Sequence, residues 1–149
     1  MPKIKRILVP VDFSEPSLAA LRYAVDLARM LKALLEIVHV VEAVTYAPMI
    51  GPAVDLDRFR EEQERAAQRR LAQLAADLRR RRVRCRTELK IGAASSAIVD
   101  LAKRSSADLI VMATEGRHGV GRLLLGSVAE RVVRSAGCPV LTVRAGASR

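Results

Sequence analysis

Dense apolar runs alternate with segments of helical periodicity along most of the chain. Residues 5–12, 34–43 and 107–114 are nearly unbroken apolar runs, a pattern typical of strands that are covered on both faces. Residues 83–92 alternate small or apolar with charged side chains, which predicts a half-exposed edge strand. Residues 138–144 predict one more strand, so the chain should contain five strands in all.

Helical periodicity fills the intervals between these runs. Ser14 is expected to cap the first helix, with Pro16 in its first turn, and either Ser95 or Ser96 to cap the third. The second helix should cover residues 55–82, and the fourth 127–135. The expected buried face of the second helix comprises Leu56, Phe59, Ala67, Leu71, Leu74 and Leu78. This β-α alternation predicts one α/β Rossmann-like domain over residues 1–149, a parallel sheet with helices on both faces.

Composition limits the class of protein further. The chain has 149 residues, half of them apolar and only 3% aromatic, so its core is expected to consist of aliphatic side chains. No apolar run approaches the roughly 20 residues of a membrane span. The two cysteines, Cys85 and Cys138, are far apart and lack metal-ligand spacing. We therefore expect a cytoplasmic protein with reduced thiols and no membrane partner.

The formal net charge is +10, and much of it comes from the arginine-rich residues 79–86. Such a block can bind nucleic acid, and steep salt dependence would reveal it. No aromatic platform or recognition motif accompanies the block, and arginine also complements the dipole at the end of a helix. A solvated helix end is the preferred interpretation, with no nucleic-acid partner expected.

The segment MATEGRHGVGRLLLGSV, residues 112–128, combines glycines, cations and a hydroxyl directly after a buried strand. Glycine lets the backbone approach a phosphate, and successive N–H groups form an anion-binding concavity. Gly126 and Ser127 should lie at the start of the last helix, where free N–H groups favour negative charge. Ser127 could therefore cap the helix, contact a ligand, or do both.

Four blocks in this order resemble the universal stress protein family over nearly the whole chain: ILVPVDFSEPS, IVHVVE, DLIVMATEGRHG and LLLGSVAERVVRSAGCPVLTVR. Nucleotide-binding members of that family carry Gly, two residues, Gly, nine residues, then Gly-Ser or Gly-Thr. The match places Ala113 at the first glycine, Gly116 at the second, and Gly126-Ser127 at the end. One glycine of three is replaced, by the residue that adds only a methyl group and mainly disfavours positive φ.

The resemblance implies strand order 3-2-1-4-5, with a ligand at the switch point between the first and fourth strands. Pro10, Val11 and Asp12 would then lie opposite residues 113–116. Asp12 resembles the family aspartate near the ribose and any metal, although it could also support the start of the first helix. Val40 matches a position that packs against adenine, and a valine there is equally suited to the core.

The function implied by the resemblance is ATP binding, with Mg²⁺ at Asp12 if a metal is present, in a stress-response sensor or adaptor. No P-loop, acid pair or nucleophile elbow occurs, so at most slow ATP hydrolysis is expected. The alternative is a nucleotide-free interaction module, which Ala113 favours. The expected contact residues are Pro10, Val11, Asp12, Val40, Ala113, Gly116, Arg117, Gly119, Gly126, Ser127 and Val128.

The last strand suggests self-association. The sequence CPVLTV, residues 138–143, has no charge on either face, and Pro139 is its only protection against pairing with another chain. The third strand, at the other predicted edge, carries Arg84, Arg86, Glu88 and Lys90. We expect a twofold homodimer with antiparallel last strands, as the resemblance also implies. His39, in an apolar strand, is expected to be a hydrogen-bonded core residue.

Overall fold

Strands and helices alternate along the chain as the hydrophobic pattern predicts. The structure, a computed structural model, describes residues 3–42, 55–115 and 125–144. The predicted loop at 44–54 and the tail after residue 144 lie outside this part. The elements are β1 Arg6–Pro10, α1 Glu15–Leu31, β2 Leu34–Val41, α2 Leu56–Arg80, β3 Cys85–Ile91, α3 Ala94–Arg104, β4 Leu109–Ala113, α4 Ser127–Ser135 and β5 Val140–Val143.

The strands form one parallel sheet in the order β3-β2-β1-β4-β5, which confirms the predicted topology. Ile7 and Val9 of β1 point to one apolar cluster, and Leu8 between them points to the other. Helices α1 and α2 cover the first cluster, and α3 and α4 cover the second. Because strands β1 and β4 are covered on both faces, β4 is apolar throughout and β1 is apolar after its exposed first residue, Arg6.

The first turns of α2 depart from the predicted buried face. Leu56 and Phe59 are 43% and 44% exposed, whereas Ala67, Leu71 and Leu78 are buried as expected. Length explains the difference: α2 has 25 residues and β2 has 8. At about 1.5 Å per helical residue and 3.3 Å per strand residue, the helix is roughly 10 Å longer than the strand. Its early turns therefore extend past the sheet.

The predicted serine cap of α3 is wrong. The helix begins at Ala94 with Ala93 as its N-cap, so Ser95 and Ser96 already lie inside the first turn. The backbone N–H of Ala94 donates to the Glu42 Oε1 atom at 3.4 Å. Glu42, just after β2, thus takes the place of a local capping side chain. Because it lies far from α3 in sequence, local sequence patterns do not predict this contact.

The two edges of the sheet are β3 and β5, as predicted. Within the described residues, no helix is long and apolar enough to cross a membrane. Cys85 and Cys138 are free thiols. Burial raises the pKa of both, with Arg79 partly opposing the shift at Cys85 and Asp108 adding to it at Cys138.

Candidate functional site

The carboxyl end of β1 is fixed by bonds to β2. The Val11 N–H donates to the Val38 carbonyl at 2.8 Å, and the Val11 carbonyl lies 2.7 Å from His39 Nδ1. A carbonyl can only accept, so Nδ1 carries the hydrogen, and His39 is hydrogen-bonded as predicted. The Val11 side chain is buried in the core cluster under α1 and α2. The backbone is therefore held rigidly up to the residue that precedes Asp12.

Asp12 and two serines organise the turn from β1 into α1. The Asp12 Oδ1 atom accepts from the Ser14 N–H at 2.9 Å and also from the Ser14 hydroxyl. Ser14 is the N-cap of α1, as predicted, and its Oγ accepts from the Ser17 N–H at 3.3 Å. The Asp12 N–H donates to Ser17 Oγ at 3.3 Å. The carboxylate of Asp12 thus supports the start of α1 and stays at the end of β1.

Phe13 is a residue that sequence reasoning missed at this turn. Its φ is +62°, a left-handed conformation that is uncommon for a bulky residue. The Phe13 ring packs against the His39 ring at a centroid distance of 5.0 Å, and the Arg70 guanidinium lies 4.1 Å from its centroid. These contacts stabilise the strained turn beside Asp12. Nothing in the sequence marks Phe13 for a positive φ.

Thr114, which sequence reasoning also missed, links the end of β4 to β5 and to the start of α4. The Thr114 N–H donates to the Val143 carbonyl at 3.1 Å, and the Thr114 carbonyl accepts from the Gly126 N–H at 2.6 Å. A Cβ atom added to Gly126 would lie 3.0 Å from the Thr114 carbonyl oxygen. Glycine at position 126 therefore has a packing reason that is independent of any ligand.

Ser127 does not cap α4, which corrects one of its two predicted roles. The N-cap is Gly126, with φ −59° and ψ 155°, and Ser127 is the first helical residue. The bond between Gly126 and Thr114 fixes the helix start one residue earlier than a serine cap requires. The Ser127 side chain is exposed, and Gly126 has no side chain with which to cap the helix. The positive end of the α4 dipole thus lies beside an exposed hydroxyl.

The remaining described candidates are apolar or nearly so. Ala113 is the last residue of β4, in extended conformation and 8% exposed. Val40 and Val128 are half-buried and pack against the core cluster under α3 and α4. Pro10, the last residue of β1, is also half-buried. Gly116, Arg117 and Gly119 lie outside the described residues.

Most of the candidate residues thus flank the carboxyl ends of neighbouring strands. β1 lies between β2 and β4 in the sheet, so the Asp12 turn and Thr114 follow adjacent strands. This is the switch point at which open α/β sheets bind ligands. Among the described residues, no group of three or more His, Cys, Asp or Glu side chains could hold a metal ion.

Comparison with known proteins agrees with this architecture. The model of the universal stress protein family matches residues 3–144, and the chain belongs to that family. It is 35% identical over 142 residues to universal stress protein MJ0531 of Methanocaldococcus jannaschii, an alignment that covers 94% of this chain and 82% of that relative.

Solved structures share the fold. Universal stress protein UspA from Lactobacillus plantarum superimposes with a TM-score of 0.73 at 30% identity, over 97% of this chain and 100% of that chain. A universal stress protein in complex with cAMP gives 0.71 at 24% identity, covering 95% and 98%. An Arabidopsis thaliana family protein with AMP bound gives 0.69 at 19% identity, covering 96% and 93%. Some proteins of this fold therefore bind adenine nucleotides.

Proposed function

We propose that this protein binds ATP at the carboxyl ends of β1 and β4 and acts as a cytoplasmic stress-response sensor or adaptor. The observation that carries the proposal is the position of Ser127: an exposed hydroxyl at the start of α4, on a helix with no capping side chain. Helix N-termini favour anions through their N–H groups and dipole. Phosphates would bind there, with Gly116, Arg117 and Gly119 completing the loop.

The residues present suit such a ligand. The half-buried Val40 and Val128 offer apolar surface to an adenine ring, and Pro10 and Asp12 would border its ribose. Ala113 occupies an extended strand position, so its methyl group imposes no backbone strain where the family motif has glycine. If Mg²⁺ accompanies the nucleotide, Asp12 would be its protein ligand, because Mg²⁺ is commonly held by one or two carboxylates together with substrate phosphates.

The likeness to structures with cAMP and AMP supports an adenine nucleotide but does not specify the number of phosphates. The sequence contains no P-loop, and no group of three or more His, Cys, Asp or Glu side chains among the described residues could hold a metal ion. We therefore expect hydrolysis to be slow at most, which suits a protein that signals its nucleotide state to a partner.

A charge placed at the first residue of α4 tests the proposal. Ser127→Glu should leave the fold intact or stabilise it slightly, because an acid at a helix N-terminus interacts favourably with the dipole. The same carboxylate should repel phosphates and abolish ATP binding in a calorimetric titration. Ser127→Ala should weaken binding by one hydrogen bond, about 1 kcal/mol.

Ser96→Glu serves as the matched control, because it adds an acid to the exposed first turn of α3. It should bind ATP like the wild type. Undiminished affinity in a folded Ser127→Glu variant would refute the site.

The second candidate function is a nucleotide-free dimeric module, which Ala113 favours, and the β5 edge supports the dimer itself. The Pro139 and Val143 carbonyls accept from N–H groups of β4 and of Thr114, which follows it. Because backbone groups of successive strand residues point to opposite sides, the N–H of Thr142 points away from the sheet. That donor is available to an antiparallel second copy. Leu141 and Val143 pack against the core, so lysine at either position would disturb the fold as well as the edge.

Thr142→Pro is the sharper test of the dimer, because it removes the outward donor and keeps the β4–β5 bonds. Sedimentation should show a dimer of the 16.3 kDa chain for the wild type and for Thr142→Val, and a monomer for Thr142→Pro. A monomeric wild type at micromolar concentration would end the dimer proposal.

A further inference from the structure

The charge of the chain is concentrated at the end of the sheet opposite the candidate site. In a parallel sheet, strand starts and the ends of crossover helices meet at the same end, here called the amino end. Its cationic side chains include Lys5, Arg6, Arg29, Lys32, Arg79, Arg80, Arg81, Arg82, Arg84, Arg86, Lys103, Arg104 and Arg134. Its acidic side chains include Asp26, Glu36, Asp77 and Asp108, together with Glu130, which pairs with Arg134. Most of the formal net charge of +10 therefore lies here.

The acids at this end are already engaged, whereas several of its arginines form no ion pair with any described residue; Arg79 donates only to the Cys85 carbonyl, at 3.5 Å. Asp26, Asp77 and Glu36 each pair with an arginine, and Asp108 accepts two backbone N–H groups. In the part of the chain that the structure describes, Arg79, Arg82 and Arg84 form no ion pair. Together they line a shallow, open cavity of about 450 Å³ whose walls are Leu34, Arg79, Arg82, Val83, Arg84 and Cys85.

Helix dipoles do not account for this excess. The ends of α1, α2 and α3 contribute about −0.5 charge each, and one or two cations would offset them. The cations at the amino end far outnumber that requirement, and they extend from β3 across to the end of α3. The remaining positive charge faces solvent.

The backbone gives a second, independent observation. Lys32, Arg82 and Ser106 each follow a helix in the left-handed conformation, with φ of 55°, 59° and 52°. Each belongs to a Schellman turn; after α2, for example, the Val83 N–H donates to the Leu78 carbonyl at 2.9 Å. Glycine is the favoured residue at this position because it has no Cβ atom. Lys32 and Arg82 therefore carry a steric cost that glycine would avoid.

We propose that the amino end binds the phosphate backbone of a nucleic-acid duplex without reading its sequence. Guanidinium groups match phosphates in geometry, and neutralising phosphates supplies most of the affinity of such complexes. Single strands usually need aromatic stacking platforms. Of the aromatic residues, Phe13 and Phe59 lie at the other end, Tyr23 lies in the middle of α1, and Tyr46 lies outside the described residues.

Anionic membranes are the competing partner, because Met30 and Leu31 at the end of α1 are 80% and 37% exposed. Two neighbouring apolar side chains form a small patch compared with the arginine surface around the cavity. The duplex therefore fits the observations better, and vesicles belong in the test.

The test measures fluorescence anisotropy of labelled DNA and RNA duplexes, in two unrelated sequences each, over a series of salt concentrations. The wild type should bind both sequences equally, with affinity falling steeply as salt rises. The variant Lys32→Gly/Arg82→Gly removes two cations and supplies the residue the backbone favours. Its slope of log affinity against log salt should be shallower by about two. Ser106→Gly, the same backbone change after α3 without loss of charge, should behave like the wild type.

Comparing the affinity for DNA duplexes with that for RNA duplexes shows which nucleic acid the protein prefers. Three results would overturn the proposal: no duplex binding, an unchanged slope in the double variant, or binding only to phosphatidylglycerol vesicles. A protein that fails to bind ATP leaves the duplex measurement unaffected, so the two proposals fail separately.

Discussion

The two ends of the sheet differ in what fixes their structure. At the carboxyl end, backbone groups approach closely: Gly126 meets Thr114, and Phe13 is held at positive φ against His39. At the amino end, the unusual backbone conformations are those of residues with positive φ after helices, such as Lys32 and Arg82. The surface there is lined mainly by arginines that form no ion pair with the described residues. Steric fit therefore determines the structure of the carboxyl end, and charge is the main feature of the amino end. Substitutions that alter volume and substitutions that alter charge should therefore affect opposite ends.

The largest expected effect is steric and lies at the carboxyl end. Gly126→Ala should lower the free energy of unfolding by about 1–3 kcal/mol, because its methyl group would lie 3.0 Å from the Thr114 carbonyl oxygen. Urea denaturation without nucleotide measures the loss. Gly137→Ala is the control, since nothing lies within 4 Å of its added Cβ, and it should stay within about 0.5 kcal/mol of the wild type. Equal stability of the two variants would mean that packing does not select Gly126.

A smaller, pH-dependent effect is expected at the amino end. Backbone N–H groups of Lys5 and Arg6 donate to Asp108 Oδ2 at 2.8 and 2.9 Å and lower the pKa of that carboxyl. Because the folded pKa lies below the unfolded one, this stabilisation is complete above about pH 4 and is lost as pH falls through the folded pKa. Asp108→Asn should cost about 1 kcal/mol at neutral pH, since the site is partly solvated.

That cost should shrink on acidification below about pH 4, measured by urea denaturation across the pH range. Asp100→Asn, at an exposed position of α3, is the matched control and should show no such trend. A cost for Asp108→Asn that is independent of pH would contradict the charge-based account of this end.

The smallest effect on stability is expected where the charge is highest. Lys32→Gly and Arg82→Gly should each stay within about 1 kcal/mol of the wild type, because relief of the left-handed strain offsets the entropy of glycine. Thermal unfolding checks this. A loss of several kcal/mol would show that these cations hold the fold together, and the contrast between the two ends would fail.

Much of the fold follows from local sequence. Unbroken apolar runs identify β1, β2 and β4, and Ser14 marks the start of α1. The strand order follows from the family motifs rather than from periodicity. The predicted burial of Leu56 and Phe59 in the early turns of α2 is wrong. Periodicity shows which side of a helix is apolar, but it does not show where the sheet beneath the helix ends.

The candidate site was less accessible from sequence. The Gly126–Thr114 bond joins residues that are twelve positions apart in sequence. The N-cap of α4 is Gly126, so Ser127 is the first helical residue, as the predicted bounds have it, but not the cap. The amino end presents the same difficulty. Residues 79–86 alone look like a solvated helix end, and only the topology adds Lys32, Lys103 and their neighbours to the same surface.

Binding of an adenine nucleotide at the carboxyl end should raise the free energy of unfolding, because the nucleotide binds only the folded state. Urea denaturation of the wild type should be measured with and without ATP and Mg²⁺. At a nucleotide concentration about 100 times its Kd, the folded state should gain about 2.7 kcal/mol. Ser127→Glu should gain nothing under the same conditions. An unchanged free energy of unfolding in the wild type at saturating ATP would mean that the carboxyl end binds no nucleotide.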